Sequence, residues 1–306
     1  MRSNKLHPIL HGPKEDPWTI VEPNKGRLQG TAAPGPFDAI VSRVIAPAGV
    51  TYEADTVGGV SGWWCRPETI RPGEVILHLH GGWFNWGSAQ AFRNLIGHLA
   101  AQTGVEAFIP DYRLAPEHPF PAAPEDARAC YAGLLDRGYQ RVAITGDSAG
   151  GCLALGLLSL ATREIANGTV PVGAVALSPI ADLTLTGASW KTRAAADPYF
   201  VWSQASGLVH SYLGDHDPSD PLASPLYGDL SDLPPIRIHV GDDEVLLDDS
   251  LRYVERAVAG GVDARVEVWE GMAHGFLSGI GTLAASMQAI EAISAFLTER
   301  LAPAKN

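Results

Sequence analysis

The chain has 306 residues, of which 46% are hydrophobic and 18% charged, and its formal net charge is −12. This length allows one large α/β domain or two small ones, and the composition is that of a folded globular protein. The negative charge argues against nucleic acid and anionic membranes as partners, because both are polyanions. No apolar stretch approaches the roughly 20 residues that cross a bilayer, and the N-terminus lacks the apolar core of a secretory signal. We therefore expect a cytoplasmic protein without a membrane span.

The first half of the chain predicts strands after an irregular start. Residues 1–37 are rich in proline and glycine and only weakly periodic, which indicates an N-terminal arm. Short apolar or alternating runs then predict successive strands; these are AIVSRVIA at 39–46, VTYEADTV at 50–57, GWWCRP at 62–67 and EVILHLHGG at 74–82. Their period of two predicts an antiparallel edge of a sheet.

Strands and helices alternate in the rest of the chain. Ser88 as N-cap and Gly104 at the far end frame a helix with apolar residues at helical spacing. Further helices are predicted at 123–136, 150–165, 249–259 and 284–301, and strands at 105–110, 141–146, 172–179, 236–241 and 265–271. Continuous apolar strands that alternate with helices predict an α/β fold, with a mostly parallel sheet covered on both faces.

One stretch interrupts the alternation. Residues 182–234 contain aromatics, prolines and helix-like pieces but no clear strand, and long insertions of this kind are usually functional lids. We predict a cap formed by residues 1–37 and 182–234. The core is then residues 38–181 and 235–306.

Polar residues follow the predicted strands at their carboxyl ends, where ligands gather in an open α/β sheet. Ser148 in GDSAG follows one strand, the acidic run 242–244 follows another, and His274 follows a third. The order serine, acid, histidine is that of an α/β-hydrolase triad. A serine hydroxyl becomes a good nucleophile when a base accepts its proton, so His274 is the expected base and a carboxylate its orienting partner.

The oxyanion of such a reaction needs hydrogen-bond donors that are already aimed at it. The backbone N–H groups of HGG at 80–82 and of Ala149 are placed for this task. Small residues at Gly146, Ala149 and Gly150 allow the sharp turn around the serine.

Several longer motifs resemble the hormone-sensitive-lipase family of α/β-hydrolases, the bacterial family IV esterases. These motifs are HGGW at 80–83, DYRLAPEHPFPAAPEDA at 111–127, GDSAGG at 146–151, EVLLDDS at 244–250 and GMAHGF at 271–276. The resemblance implies an α/β-hydrolase fold with a helical cap, no cofactor, and hydrolysis of short- to medium-chain acyl esters. The last two segments look closest to the branch of monoterpene lactone hydrolases and small-acyl deacetylases.

The chain departs from the family at two places. The family usually reads His-Gly-Gly-Gly and uses the N–H groups of the last two glycines, which here are Gly82 and Trp83. The resemblance thus implies Gly82, Trp83 and Ala149 as oxyanion donors, with the indole shaping the acyl pocket. The family commonly has Asp-Pro-Leu at the acid; a gapless alignment places the acid on Glu244, and Asp243 is the alternative.

Other side chains complete the prediction. The aromatics singled out for substrate contact are Trp83, Phe84, Tyr199 and Trp202. His78 and His80 have no third ligand at a helpful spacing, so no metal is expected. The sparse cysteines are expected to be reduced and mostly buried thiols; they are Cys65, Cys130 and Cys152.

We prefer a serine carboxylesterase, but two other functions stay open. The same triad would serve a lactone hydrolase or an N- or O-deacetylase, since all share acyl-enzyme chemistry. The second alternative is a non-catalytic module that binds a small molecule. The expected partner is a small-molecule ester or lactone, and the edge helix and strand near the C-terminus are the candidate contact of a homodimer.

Overall fold

The computed structural model describes residues 9–10, 25, 33–164 and 169–303. In this part of the chain nine strands form one sheet. They are β1 (Ile9–Leu10), β2 (Val50–Val57), β3 (Val60–Pro67), β4 (Glu74–Leu79), β5 (Glu106–Pro110), β6 (Arg141–Asp147), β7 (Gly173–Leu177), β8 (Ile236–Gly241) and β9 (Ala264–Trp269). Their spatial order is β1-β9-β8-β7-β6-β4-β5-β3-β2. Only β2 with β3 and β3 with β5 pair antiparallel, so the predicted parallel sheet with an antiparallel edge is confirmed.

Helices cover both faces of the sheet. The described helices are α1 (Pro34–Val41), α2 (Ala89–Thr103), α3 (Ala122–Asp136), α4 (Ala149–Glu164), α5 (Ser189–Thr192), α6 (Trp202–Leu213), α7 (Leu247–Ala259) and α8 (Ala284–Leu301). One apolar cluster contains residues of α1, α2 and α8, and a second contains residues of α3, α4 and α7. Successive residues of β4 alternate between them: Val75 and Leu77 belong to the second and Ile76 to the first. A strand buried on both faces needs the continuous apolar sequence seen here.

The predicted helix after β4 is confirmed together with its end signals. The Ser88 side chain accepts a hydrogen bond from the Ala91 amide at 3.2 Å, which satisfies one of the unpaired N–H groups of the first turn. Gly104 ends the helix with a left-handed φ of +65°, and its N–H donates to the Ala100 carbonyl. The later helices begin and end within a residue or two of the predicted limits.

The strand predicted at 39–46 is wrong, because α1 occupies Pro34–Val41. The β-branched residues Ile40, Val41 and Val44 suggested a strand. Prolines in the first helical positions decide otherwise, since their fixed φ suits a helix and their missing N–H would be unpaired there anyway. The helix buries Val41 in the same cluster as Phe92 of α2.

The insertion predicted at 182–234 carries α5, α6 and a 3₁₀ helix at Pro225–Tyr227, with no strand among its residues. Most of the predicted N-terminal arm, residues 1–37, lies outside the described residues. Where it is described, the Lys25 ammonium donates to the carbonyl groups of Ala194 and Asp197 in the insertion, at 2.6 and 2.5 Å. The division into cap and core stays a prediction.

All three cysteines are unpaired and buried, as the sequence predicts; they are Cys65 in β3, Cys130 in α3 and Cys152 in α4. Burial raises the pKa of each thiol. Cys152 donates to the Ala223 carbonyl at 3.1 Å and so packs as a small, weakly polar core residue.

Candidate active site

Ser148 lies on the sharp turn between β6 and α4, at the carboxyl edge of the sheet. Its φ of +54° is uncommon for a residue other than glycine and persists only where the surroundings impose it. A Cβ at Gly146 would collide with the carbonyl of Gly150, so the turn requires glycine there. The Ser148 amide donates to the Leu177 carbonyl of β7 at 2.8 Å. The turn is therefore fixed from both the helix side and the sheet side.

Glu244 and His274, which follow the neighbouring strands β8 and β9, contact each other. Glu244 follows β8, and its Oε2 accepts a hydrogen bond from Nδ1 of His274 at 2.8 Å. The alternative acid, Asp243, is half-buried, whereas Glu244 is fully buried. Burial, followed by the charge of Asp242, raises the pKa of Asp243. The geometry thus joins Glu244 to the histidine.

The environment of His274 favours a bound proton. Burial alone would lower its pKa, but the hydrogen bond and the charge of Glu244 outweigh that effect. The charges of Asp197 and Asp147 act in the same direction, and the net result is a pKa above the ordinary 6.5. An imidazolium that forms here is therefore stabilised by its neighbours.

Ser148 and His274 line one cavity of about 1010 Å³, its mouth included. Its wall is mostly apolar and draws on α1, α2, the insertion and the segment after β9; the residues that complete it include Phe37, Ile40, Leu95, Tyr199, Phe200 and Leu277. Asp147 is the carboxylate in this wall, and no Lys or Arg among the described residues lines it. Such a cavity suits an uncharged, largely apolar ligand.

The predicted oxyanion loop is backbone held in unusual conformations. Gly82, Trp83 and Phe84 have φ values of +124°, +57° and +60°. The Gly82 carbonyl accepts from the amides of Asn85 and Trp86 at 3.0 and 2.8 Å. Among the described residues, the amides of Gly82 and Trp83 donate to no protein acceptor.

Contacts beneath this loop tie it to the serine turn. The Gly81 amide donates to Oδ1 of Asp147 at 2.9 Å, and the Tyr112 hydroxyl donates to the His80 carbonyl at 2.6 Å. The ring of His80 also stacks on Tyr112, with centroids 4.3 Å apart. Asp147 precedes Ser148, so one carboxylate links the serine turn to the predicted oxyanion loop.

The structure brings two of the four predicted substrate residues to the cavity. Trp83 and Tyr199 line it. Phe84 is 1% exposed and stacks on Tyr212, with ring centroids 3.9 Å apart, because the chain turns away after Trp83. Trp202 begins α6 and is 54% exposed outside the cavity lining. We leave the latter two out of the proposed site.

Sequence reasoning missed part of the cavity. α1 contributes Ile40 and Val41, which lie in the stretch predicted as a strand, and Phe37, which lies in the predicted N-terminal arm. Ser178, at the end of β7, donates from Oγ to Oε1 of Glu244 at 2.7 Å. A Ser-Pro pair directly after an apolar strand was the signal that could have pointed to it.

The described residues contain neither a metal site nor a membrane-spanning helix. No three His, Cys, Asp or Glu side chains in the ranges given above come together as a metal site. None of the helices described there combines the length and apolar character that a membrane crossing requires.

Known proteins resemble this chain along most of its length. A family model described as the alpha/beta hydrolase fold matches residues 76–278. An acetyl-hydrolase of Streptomyces hygroscopicus is 41% identical, over 79% of this chain and 81% of the relative. An esterase of Acinetobacter venetianus is 36% identical, over 74% and 75%.

Solved structures agree with these relatives. The crystal structure of an esterase from the bacterial hormone-sensitive lipase family superposes with a TM-score of 0.84 at 38% identity, covering 88% of this chain and 91% of that one. Another, of an esterase/lipase from an uncultured bacterium, gives a TM-score of 0.80 at 40% identity, over 87% and 90%. The chain therefore belongs to the α/β-hydrolases and, within them, to the bacterial hormone-sensitive-lipase family of esterases.

Proposed function

We propose that this protein is a serine carboxylesterase that hydrolyses short- to medium-chain acyl esters through an acyl-enzyme. The observation that carries the proposal is the bond between His274 Nδ1 and Glu244 Oε2, because His274 lines the same cavity as Ser148. When Nδ1 donates to the carboxylate, Nε2 holds the lone pair that can accept the serine proton. The esterase names of the relatives are consistent with this chemistry.

The reaction would proceed in two halves. Oγ of Ser148 attacks the ester carbonyl as His274 takes its proton, and the imidazolium then protonates the leaving alcohol. Water attacks the acyl-serine with His274 again as base, which releases the acid and restores the enzyme. Glu244 stabilises the imidazolium rather than accepting its proton.

Backbone donors would stabilise the oxyanion in both halves. The free amides of Gly82 and Trp83 are two of them, and the amide of Ala149, at the start of α4, is the third. Each such donor is typically worth about 10²–10³ in kcat, because it is aimed before the charge develops. The Ser148 amide donates to Leu177 instead.

The cavity supports a neutral ester as substrate. Asp147 in the wall would repel an anionic acyl or alcohol group, and the apolar lining favours aliphatic or aromatic parts. Trp83 stands where the family usually has glycine, so its indole takes up space beside the proposed oxyanion donors. We propose that Trp83 and Tyr199 contact the substrate and that Trp83 favours short acyl groups, in keeping with the acetyl-hydrolase name of one relative.

The test compares labelling and turnover. The wild-type protein should hydrolyse p-nitrophenyl acetate or butyrate and should be labelled by a phosphonate probe. Ser148→Ala should lose both while its melting temperature stays close to wild type, and Ser294→Ala, a buried serine on α8, should keep both. Full hydrolysis and labelling by Ser148→Ala would rule the proposal out.

Lactone and amide hydrolysis remain alternatives because they share the acyl-enzyme. Comparing kcat/KM for acetyl esters, cyclic lactones and N-acetyl amides separates the three. We expect the ester to be preferred; a higher value for either of the others would move the assignment to that bond.

A further inference from the structure

We propose that Ser178 is a positioning residue of this site, which holds the Glu244 carboxylate in the orientation that reaches His274. The inference rests on the proposed function, since it assigns the acid role to Glu244. Ser178 is buried and follows β7. It is not a member of the proposed triad.

Both oxygens of Glu244 are occupied, and they have different partners. Oε2 accepts from His274 at 2.8 Å, whereas Oε1 accepts from the Ser178 hydroxyl at 2.7 Å and from the Gly241 amide at 2.5 Å. Glu244 has no exposed surface, so water does not replace these donors. A buried carboxylate needs such charge-assisted hydrogen bonds.

The hydroxyl determines the plane of the carboxylate. The last torsion of a glutamate side chain has broad preferences, so the rotamer alone does not set that plane. One donor, the Gly241 amide, leaves the carboxylate free to swing about the bond to it. A second donor, the Ser178 hydroxyl just after the end of a different strand, removes this freedom, and Oε2 then points at His274 Nδ1.

The backbone of Ser178 joins the acid to the nucleophile turn. Its amide donates to the His239 carbonyl of β8 at 2.8 Å, and the preceding residue, Leu177, accepts from the Ser148 amide at 2.8 Å. Its φ of +44° is uncommon for serine and indicates that the surroundings impose this conformation. Leu177 thus bonds to the serine turn through its carbonyl, and Ser178 bonds to Glu244 through its hydroxyl.

Two substitutions separate positioning from a purely structural role. Ser178→Ala removes the hydroxyl and keeps the strained φ, whereas Ser178→Gly removes the hydroxyl and relieves the strain. We expect kcat to fall about 10- to 100-fold in both, the loss of one hydrogen bond to a charged group, with KM changed less than about twofold. Wild-type kcat in the folded glycine variant would overturn the proposal, because it would show that only the shape of the turn matters.

A double-mutant cycle tests whether the effect passes through Glu244. In a Glu244→Ala background, Ser178→Ala should change kcat less than about twofold, whereas independent effects would multiply and would contradict the proposal. Ser294→Ala is the matched control and should keep wild-type kcat. Melting temperatures show that each variant is folded. Failure of the proposed function itself looks different: Ser148→Ala or Glu244→Ala alone would then leave kcat unchanged.

Discussion

The floor and the wall of the cavity are built by different interactions. The part we call the floor comprises Ser148, Ser178 and His274, which line the cavity, together with Glu244, which is buried and bonded to Ser178 and His274. It is held by hydrogen bonds of 2.5–2.8 Å between residues at strand ends. The wall, formed by Trp83, Tyr199 and Phe200, is held by ring packing; Trp83 meets Phe200 edge to face at 5.2 Å, and Phe200 meets the His274 ring at 4.8 Å. Hydrogen bonds are directional and ring contacts adapt, so changes in the floor should alter rate and changes in the wall should alter selectivity.

The largest expected effect lies in the floor. Glu244→Ala should lower kcat for p-nitrophenyl acetate by about 10³–10⁴, because the imidazolium loses its counter-charge and its orienting bond. Asp243→Ala, one position earlier on the same turn, should change kcat far less. The reverse ranking would assign the acid role to the alternative residue, Asp243.

A change of Trp83 should shift selectivity more than rate. Trp83→Gly removes the indole and suits the φ of +57°, so kcat/KM for hexanoate relative to acetate should rise about tenfold or more. Phe84→Leu is the matched control. Phe84 is the next residue in the chain, and its ring packs on Tyr212 rather than in the cavity. It should lower the melting temperature and leave the ratio unchanged. An equal shift in the control would mean that the loop as a whole sets selectivity.

The fall of kcat/KM at low pH reports the pKa of His274 in the floor. In the proposed mechanism His274 acts as a base only when neutral, and its pKa is raised, so kcat/KM should fall as the pH drops through a value above 6.5. The His274 C2–H resonance in Ser148→Ala should titrate in the same range. Adding Glu244→Ala should lower that midpoint, because burial then dominates. An unchanged His274 midpoint would show that Glu244 is not the cause of the raised pKa.

The smallest expected effect lies outside the cavity. Trp202→Ala should change kcat/KM for small esters less than about twofold, since the ring is 54% exposed and lies outside the lining. Tyr199→Ala, in the same insertion, should raise KM instead. A large rise in KM for Trp202→Ala would show that this side chain does reach the substrate.

The parts of the site that follow from the sequence are those that strand ends determine. Ser148, the 242–244 turn and His274 each follow an apolar strand, and a parallel sheet brings its carboxyl ends to one edge. Ser178 follows β7 in the same way. The same rule, applied to the Ser-Pro pair there, would have placed it at this edge, although not its bond to Glu244.

Side-chain direction in irregular backbone could not be predicted. Trp83 and Phe84 are adjacent, both aromatic and both at positive φ, yet one faces the cavity and the other packs on Tyr212. α1 was hidden for a different reason, since Ile40 and Val41 favour strands locally while prolines in the first turn and burial against α2 favour the helix.

The buried cysteines have a practical consequence for handling the enzyme. Alkylating reagents attack the thiolate, and burial both shields these sulfurs and raises their pKa, so iodoacetamide should spare the folded protein. Cys65, Cys130 and Cys152 lie in a strand and two different helices, which makes each a marker of its own part of the core. The rate at which each one becomes alkylated then measures how often that part of the molecule opens.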